Sequence, residues 1–253
     1  MTMTKRVTII ADAVEHLGPD LAKRLARHDH DLVLGGAADG LVEELLALGA
    51  EVELVEEVST GKCLTRPDAV QTLVERAMTR FGSFNSAFIR PAVHVTGDIL
   101  STTAEDFQEA FEGNMLASFF ALQTLIKSLI EQGRGGQVLI GASGTGVKPF
   151  PGGTAYSSTK AGTVMMIRNA AITAAPHGIT VNAIGTMALN YPGFLDNTGC
   201  RDPEVLAQML KAFPAGRLGE PAEAAHIAAA MMDGESHFMS GEFISVSGGW
   251  TTT

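Results

Sequence analysis

The chain has 253 residues, 45% of them apolar, enough for one large core in a single domain spanning 1–253. Its 28 acidic against 18 basic residues give a net charge of −10. With no clustered basic run, nucleic acid and anionic membranes are poor partners. Cys63 and Cys200 form neither a disulfide framework nor a metal-type spacing, so no metal is expected and a cytoplasmic setting fits. The segment MTMTKRVTII is apolar too briefly for a signal peptide, and no later run of about 18 uncharged apolar residues offers a membrane span.

Short β-rich runs alternate with helical patterns. Strands are expected at 7–11, 31–36, 51–56, 85–90, 137–143, 179–185 and 242–249. Helices are expected at 19–28, 41–48, 67–80, 104–131 and 155–175. In the third, Pro67 takes the first position, Val70, Leu73, Val74, Ala77 and Met78 share one face, and Gly82 is the stop. The alternation predicts a doubly wound, seven-stranded parallel sheet of Rossmann type, with its crevice at the carboxyl ends of the strands. Residues 186–216 hold Pro192, Pro203 and Pro214 and one short helix at about 203–213. They read as a substrate loop or lid. The pairs Met165-Met166 and Met231-Met232 read as helix packing.

Chemistry concentrates around Tyr156 and Lys160. One helical turn apart, they share a face, and the lysine is expected to lower the tyrosine pKa. Ser143, ending a strand, is placed to hold a carbonyl or hydroxyl in line. Asn114, inside the long helix, is placed to anchor a water beside Lys160.

These segments resemble the short-chain dehydrogenase/reductase family nearly end to end. FEGNMLASFF is similar to its Asn helix, GASGTGVKPFPGGTAYSSTKAG to its Ser-to-Tyr-Lys segment, GITVNAIG to its sixth strand, and PAGRLGEPAEAAHIAAAMMDGESHFMSGEFISVSGGW to its C-terminal segment. The resemblance implies NAD(P) dependence, a tetramer, and an Asn114-Ser143-Tyr156-Lys160 tetrad. Tyr156 would be the acid/base, and Lys160 would also hold the nicotinamide ribose.

The family's glycine-rich first turn is absent. Its first glycine aligns with Asp12, its second with His16, and only Gly18 remains as a cofactor-turn residue. A carboxylate at 12 adds bulk and negative charge where a diphosphate would approach a helix N-terminus. Like charges about 4 Å apart cost about 1 kcal/mol in water and about 4 at an effective dielectric near 20. Asp12 is also suited to cap the helix, or to pair with Arg90 and fill the site. His16 reads as a surface or turn histidine. Gly35-Gly36-Ala37 offers no ribose or phosphate partner, though Glu56 or Glu57 is placed to meet an adenine. Ile89-Arg90-Pro91-Ala92 replaces Asn-Asn-Ala-Gly, and Thr186-Met187 replaces Pro-Gly.

Four altered segments together suggest a chain that binds no cofactor itself. It would serve as a pseudoenzyme subunit beside an active paralogue carrying NAD in a mixed tetramer. The helices at 104–131 and 156–175 would form the assembly surface, through Ala161, Gly162, Ala170, Ala171 and Ala174. The alternative is an active NAD(P)-dependent dehydrogenase or ketoreductase using the tetrad. A non-redox lyase is disfavoured, because the halohydrin dehalogenases it would resemble carry Arg at the position of Lys160. Lys148, Tyr191 and Phe194 are candidates for lining a substrate pocket.

Overall fold

The computed structural model describes residues 5–59 and 61–252. The reading of the first four residues lies outside them. Seven parallel strands form one sheet in the order β3-β2-β1-β4-β5-β6-β7. They are β1 (Arg6–Ala13), β2 (His30–Ala37), β3 (Val52–Val55), β4 (Ser86–Ile89), β5 (Gly136–Ser143), β6 (Ile179–Thr186) and β7 (Phe243–Val246). Near-continuous apolar runs such as VTII suit a sheet covered on both faces.

The helices are α1 (Gly18–Ala26), α2 (Leu41–Ala47), α3 (Ala69–Phe81), α4 (Ala104–Ala110), α5 (Ala117–Gln132), α6 (Thr154–Ala174), α7 (Pro192–Thr198), α8 (Pro203–Leu210) and α9 (Pro221–Ala230). A π-helical turn, Phe111–Leu116, joins α4 to α5. The continuous Ala104–Gln132 helix is long and apolar enough to cross a membrane by length and composition, but half of its most apolar window is buried in the domain. Leu122, Leu125 and Leu129 of α5 pack on one face of the sheet with Leu73 of α3 and Ile167 of α6. Leu21 and Leu25 of α1, Leu45 of α2 and Ala228 of α9 cover the other.

The structure corrects several sequence expectations. α3 starts at Ala69, so Pro67 lies in the turn before it, and Met78 is exposed while Val70, Leu73, Val74 and Ala77 are buried. Gly82 does stop this helix, in the left-handed region. β7 ends at Val246; left-handed Gly248 and Gly249 cannot continue a strand, and a 3₁₀ turn at Trp250–Thr252 follows. The stretch 186–216 carries two short helices instead of one, each with Pro in its first turn. α9 has no counterpart in the periodicity reading: its core is nearly all Ala, so its faces differ little in hydropathy. Ala171 and Ala174 point into the domain core instead of an assembly face, and Ala170 packs against that core. Met231 and Met232 are buried and Met166 packs on the core, but Met165 is exposed.

The chain runs outward from β1 to β2 and β3, then returns to β4 on the other side of β1. A crevice opens where that order reverses, between the carboxyl ends of β1 and β4. Ala11 pairs with Ile89 in register, so Asp12, near the end of β1, and Arg90, just past β4, come to lie side by side.

A polar cluster sits lower in the sheet. Thr8 Oγ1 bonds Ser86 Oγ at 2.8 Å and His30 Nδ1 at 2.6 Å, while His30 Nε2 has no partner among the described residues. Burial, then the nearby Arg6, lowers the His30 pKa to about 4. A depressed folded-state pKa gives stabilisation that is complete above the unfolded histidine value and is lost as pH falls through about 4. The contribution is roughly 3 kcal/mol. Urea titrations should therefore show stability falling between about pH 6.5 and 4, with a shallower fall in His30→Gln; an identical slope in that variant would remove the assignment.

Candidate active site

The turn after β1 keeps a glycine-like backbone without glycine. Asp12 has φ 78° and His16 φ 58°, both left-handed. That conformation costs a non-glycine residue roughly 1–2 kcal/mol, less for Asp. Side-chain contacts hold both in place. Arg90 Nε donates to Asp12 Oδ2 at 3.0 Å, and its Nη2 donates to the same oxygen and to Glu15 Oε1 at 3.2 Å. The nearby backbone N–H groups of Val14 and Glu15 also favour the Asp12 carboxylate. The suggested pairing is thus present, but the suggested helix cap is not: α1 begins at Gly18 behind Leu17, with no side-chain cap. Arg90 and Asp12 side chains are only 11% and 3% exposed.

Burial works against charge on both partners. It prevails at Asp12, whose pKa is raised against the pull of Arg90. At Arg90, Asp12, Tyr191 and Glu15 together outweigh desolvation and raise the pKa. Gly18 survives for a packing reason, since a Cβ there would collide with the carbonyl oxygen of Asp12. Gly35 and Gly36 lie inside β2, and Gly36 has φ 68°.

His16 is not a surface residue. It is buried, its Nε2 lies 3.0 Å from Thr186 Oγ1 at the end of β6, and its ring meets Tyr191 edge-on at 5.1 Å. Burial, with Arg90 nearby, holds its pKa well below the usual histidine range. A basic residue in a turn reads as exposed from sequence; the cavity beneath the turn draws it inward.

The tetrad residues gather in and around a cavity of about 210 Å³. Ser143 ends β5, and Tyr156 and Lys160 come from the first turns of α6. The Ser143 hydroxyl accepts from Thr145 N at 3.2 Å and from Thr145 Oγ1 at 3.1 Å. Burial pushes the Tyr156 phenol up to about 12, against the pull of Ser143 and Arg90. Lys160 is the more altered group: burial, then Arg90, takes its pKa down to about 7. Its Nζ donates to Pro91 O at 2.5 Å and lies 5.4 Å from the Tyr156 ring centroid. The expected lowering of the tyrosine pKa by this lysine is therefore not what the site delivers, because desolvation dominates both groups.

Asn114 lies outside the cavity wall. Its side chain accepts from Val93 N at 3.1 Å and donates to Val93 O at 2.9 Å, pinning the loop after β4. That loop supplies a residue the sequence reading missed: His94 stacks on Tyr156 at 4.4 Å. Its position just beyond the altered Arg90-Pro91-Ala92 segment was the available signal. Met187, Phe194, Met209 and Phe213 add an apolar wall, and Tyr191 also lines the cavity. Lys148 instead donates to Trp250 O at 2.8 Å and lies over its ring. Glu56 and Glu57 sit exposed on a 3₁₀ turn after β3.

The family model described as enoyl-(acyl carrier protein) reductase matches residues 13–251. A short-chain dehydrogenase/reductase of Armillaria gallica is 26% identical, covering 96% of this chain and 95% of that one. The 3-oxoacyl-[acyl-carrier-protein] reductase FabG of Staphylococcus aureus is 25% identical, covering 98% and 99%. Among solved structures, levodione reductase superposes with a TM-score of 0.87 at 24% identity, covering 99% of each chain. ElxO with NADP bound gives 0.86 at 17% identity, covering 98% and 100%. These two similarities show the fold.

Removing one partner of a buried ion pair costs about 3–5 kcal/mol, because the other is left unpaired. Arg90→Met should lower the melting temperature by roughly 6–20 °C in a domain of this size. Asp12→Gly should lower it less, since it relieves backbone strain and leaves Glu15 beside Arg90. The double variant should lose clearly less than the sum. Additive losses in thermal melts would mean that the two side chains are not coupled.

Proposed function

Since the chain belongs to the short-chain dehydrogenase/reductase family of oxidoreductases, we propose that it is a non-catalytic subunit within that family. It pairs in the cytoplasm with an active paralogue in a mixed tetramer, and the paralogue carries the NAD. The observation that carries this reading is the Arg90–Asp12–Glu15 cluster at the head of α1. A dinucleotide would need this helix end for its diphosphate. Here two carboxylates, Asp12 and Glu15, stand in the segment leading to it, both bonded to Arg90. The residues present do not fit a diphosphate, so no step is derived through the cofactor.

More narrowly, the chain resembles the non-catalytic subunit of 2-[hydroxy(phenyl)methyl]succinyl-CoA dehydrogenase, in the paired loss of the glycine-rich turn and the Asn-Asn-Ala-Gly segment. Helices α7 and α8 serve as the lid of the remaining cavity.

One observation favours a second reading, an active NAD(P)-dependent dehydrogenase or ketoreductase. Ser143 and Tyr156 still line one cavity, and the Ser143 hydroxyl favours the ionised phenol, an arrangement that would hold a substrate oxygen between them.

Calorimetric titration of the purified chain with NADH and then NADPH separates the two. No binding at millimolar cofactor is expected. Micromolar binding would overturn the non-catalytic reading, and loss of alcohol turnover in Tyr156→Phe would then establish the second one.

A further inference from the structure

Lys160 is 1% exposed and lines the cavity, yet its only side-chain hydrogen bond among the described residues is to the neutral Pro91 carbonyl. No ion pair among the described residues includes it, and the neighbouring Arg90 is already committed to Asp12 and Glu15. A buried ammonium facing no anion is unfavourable by several kcal/mol. The phenol of Tyr156 and hydroxyl of Ser143 stand in the same cavity, which Phe194, Met209 and Phe213 also line.

We propose that this cavity binds a small organic monocarboxylate, its carboxylate on the Lys160 ammonium and its apolar tail against Phe194, Met209 and Phe213. The proposal rests on the reading that no dinucleotide occupies this space. A neutral carbonyl compound would leave the ammonium uncompensated, and a dianion would exceed the one available cation. At about 30 Å³ per water, a cavity of 210 Å³ has the room of about seven waters. An acid of the bulk of 3-phenylpropionate suits it.

The groups facing Lys160 are Arg90 after β4, His94 in the following loop, His16 in the turn after β1, and Tyr156 on α6, with Asp12 and Glu15 behind Arg90. Both histidines have lowered pKa values and Tyr156 stands near 12. His94 lines the cavity and burial lowers its pKa to about 4, so the useful window opens above the histidine range. Between about pH 7 and 9, Lys160 is the cavity group that changes charge.

The probe is 3-phenylpropionate, followed through Trp250. This is the one tryptophan, and it stacks at 6.4 Å on Phe213 of the cavity wall. Affinity should fall about tenfold per pH unit above about pH 7 as the ammonium deprotonates. The isosteric amide, 3-phenylpropanamide, should bind at least roughly thirtyfold more weakly at pH 7. Lys160→Met should lose both effects, and His94→Gln should keep the pH dependence. Equal binding of acid and amide, pH-independent affinity, or no saturation at millimolar acid would each overturn the proposal. The acid–amide comparison uses the unaltered chain, so misfolding of the Lys160 variant does not weaken the test. A parallel NADH titration keeps the two readings apart. Micromolar NADH sinks the non-catalytic role and with it the premise that no dinucleotide occupies this space. No NADH binding and no acid binding sinks the anion site alone.

Discussion

Parallel pairing of β1 with β4 makes Asp12 and Arg90 neighbours, and much of the site follows from that contact. The register brings both residues to the carboxyl ends of these strands, at the point where the strand order reverses. In an open α/β sheet that crevice receives a ligand. Here it receives a carboxylate and a guanidinium from the chain itself. A buried pair of this kind adds little net stability over an apolar filling, but each member is costly to leave alone. The substitution at residue 12 therefore constrains residue 90, and the two have to be understood together.

The cluster also reaches the lid. Tyr191, just before α7, contributes to the charge environment of Arg90 and meets the His16 ring. Glu15 lies close to Gly193 in α7, where a side chain would collide with its carboxylate. His16 bonds to Thr186, the last residue of β6. The turn after β1, the end of β4 and the segment after β6 thus meet through protein atoms alone. Two left-handed non-glycine residues can persist in such a turn because these contacts over-determine their positions.

Alternating strand and helix patterns were enough to predict the sheet, its parallel sense and the crevice, because a period of 2 or 3.6 survives in the sequence. What escaped was set by tertiary contact. An Ala-rich helix shows no apolar stripe, so α9 is silent to periodicity although Ala224, Ala225 and Ala228 are buried. His16 looks like a turn residue until β6 is brought beside it. His94 acquires meaning only when the π-helical turn and α6 place Tyr156 beneath it. The pKa pattern is equally non-local: a Tyr-x-x-x-Lys spacing specifies a shared face, but burial of that face decides which group is perturbed and in which direction.

Persistence of the tetrad does not by itself argue for chemistry. Asn114 holds both backbone groups of Val93, and Lys160 holds the carbonyl of Pro91. Both therefore grip the short segment that begins with Arg90 and ends with His94. Loss of either would loosen the backbone that aims Arg90 at Asp12. Ser143 has a local task too, accepting the Thr145 N–H where β5 turns into the following 3₁₀ segment. Three of the four residues thus have structural work that continues without a cofactor. Tyr156 is the exception, because its side chain lines the cavity and its ring is covered by His94. The retention of that phenol is what a purely architectural role leaves least explained. It is also the reason to look for a ligand in the cavity instead of treating the cavity as a remnant.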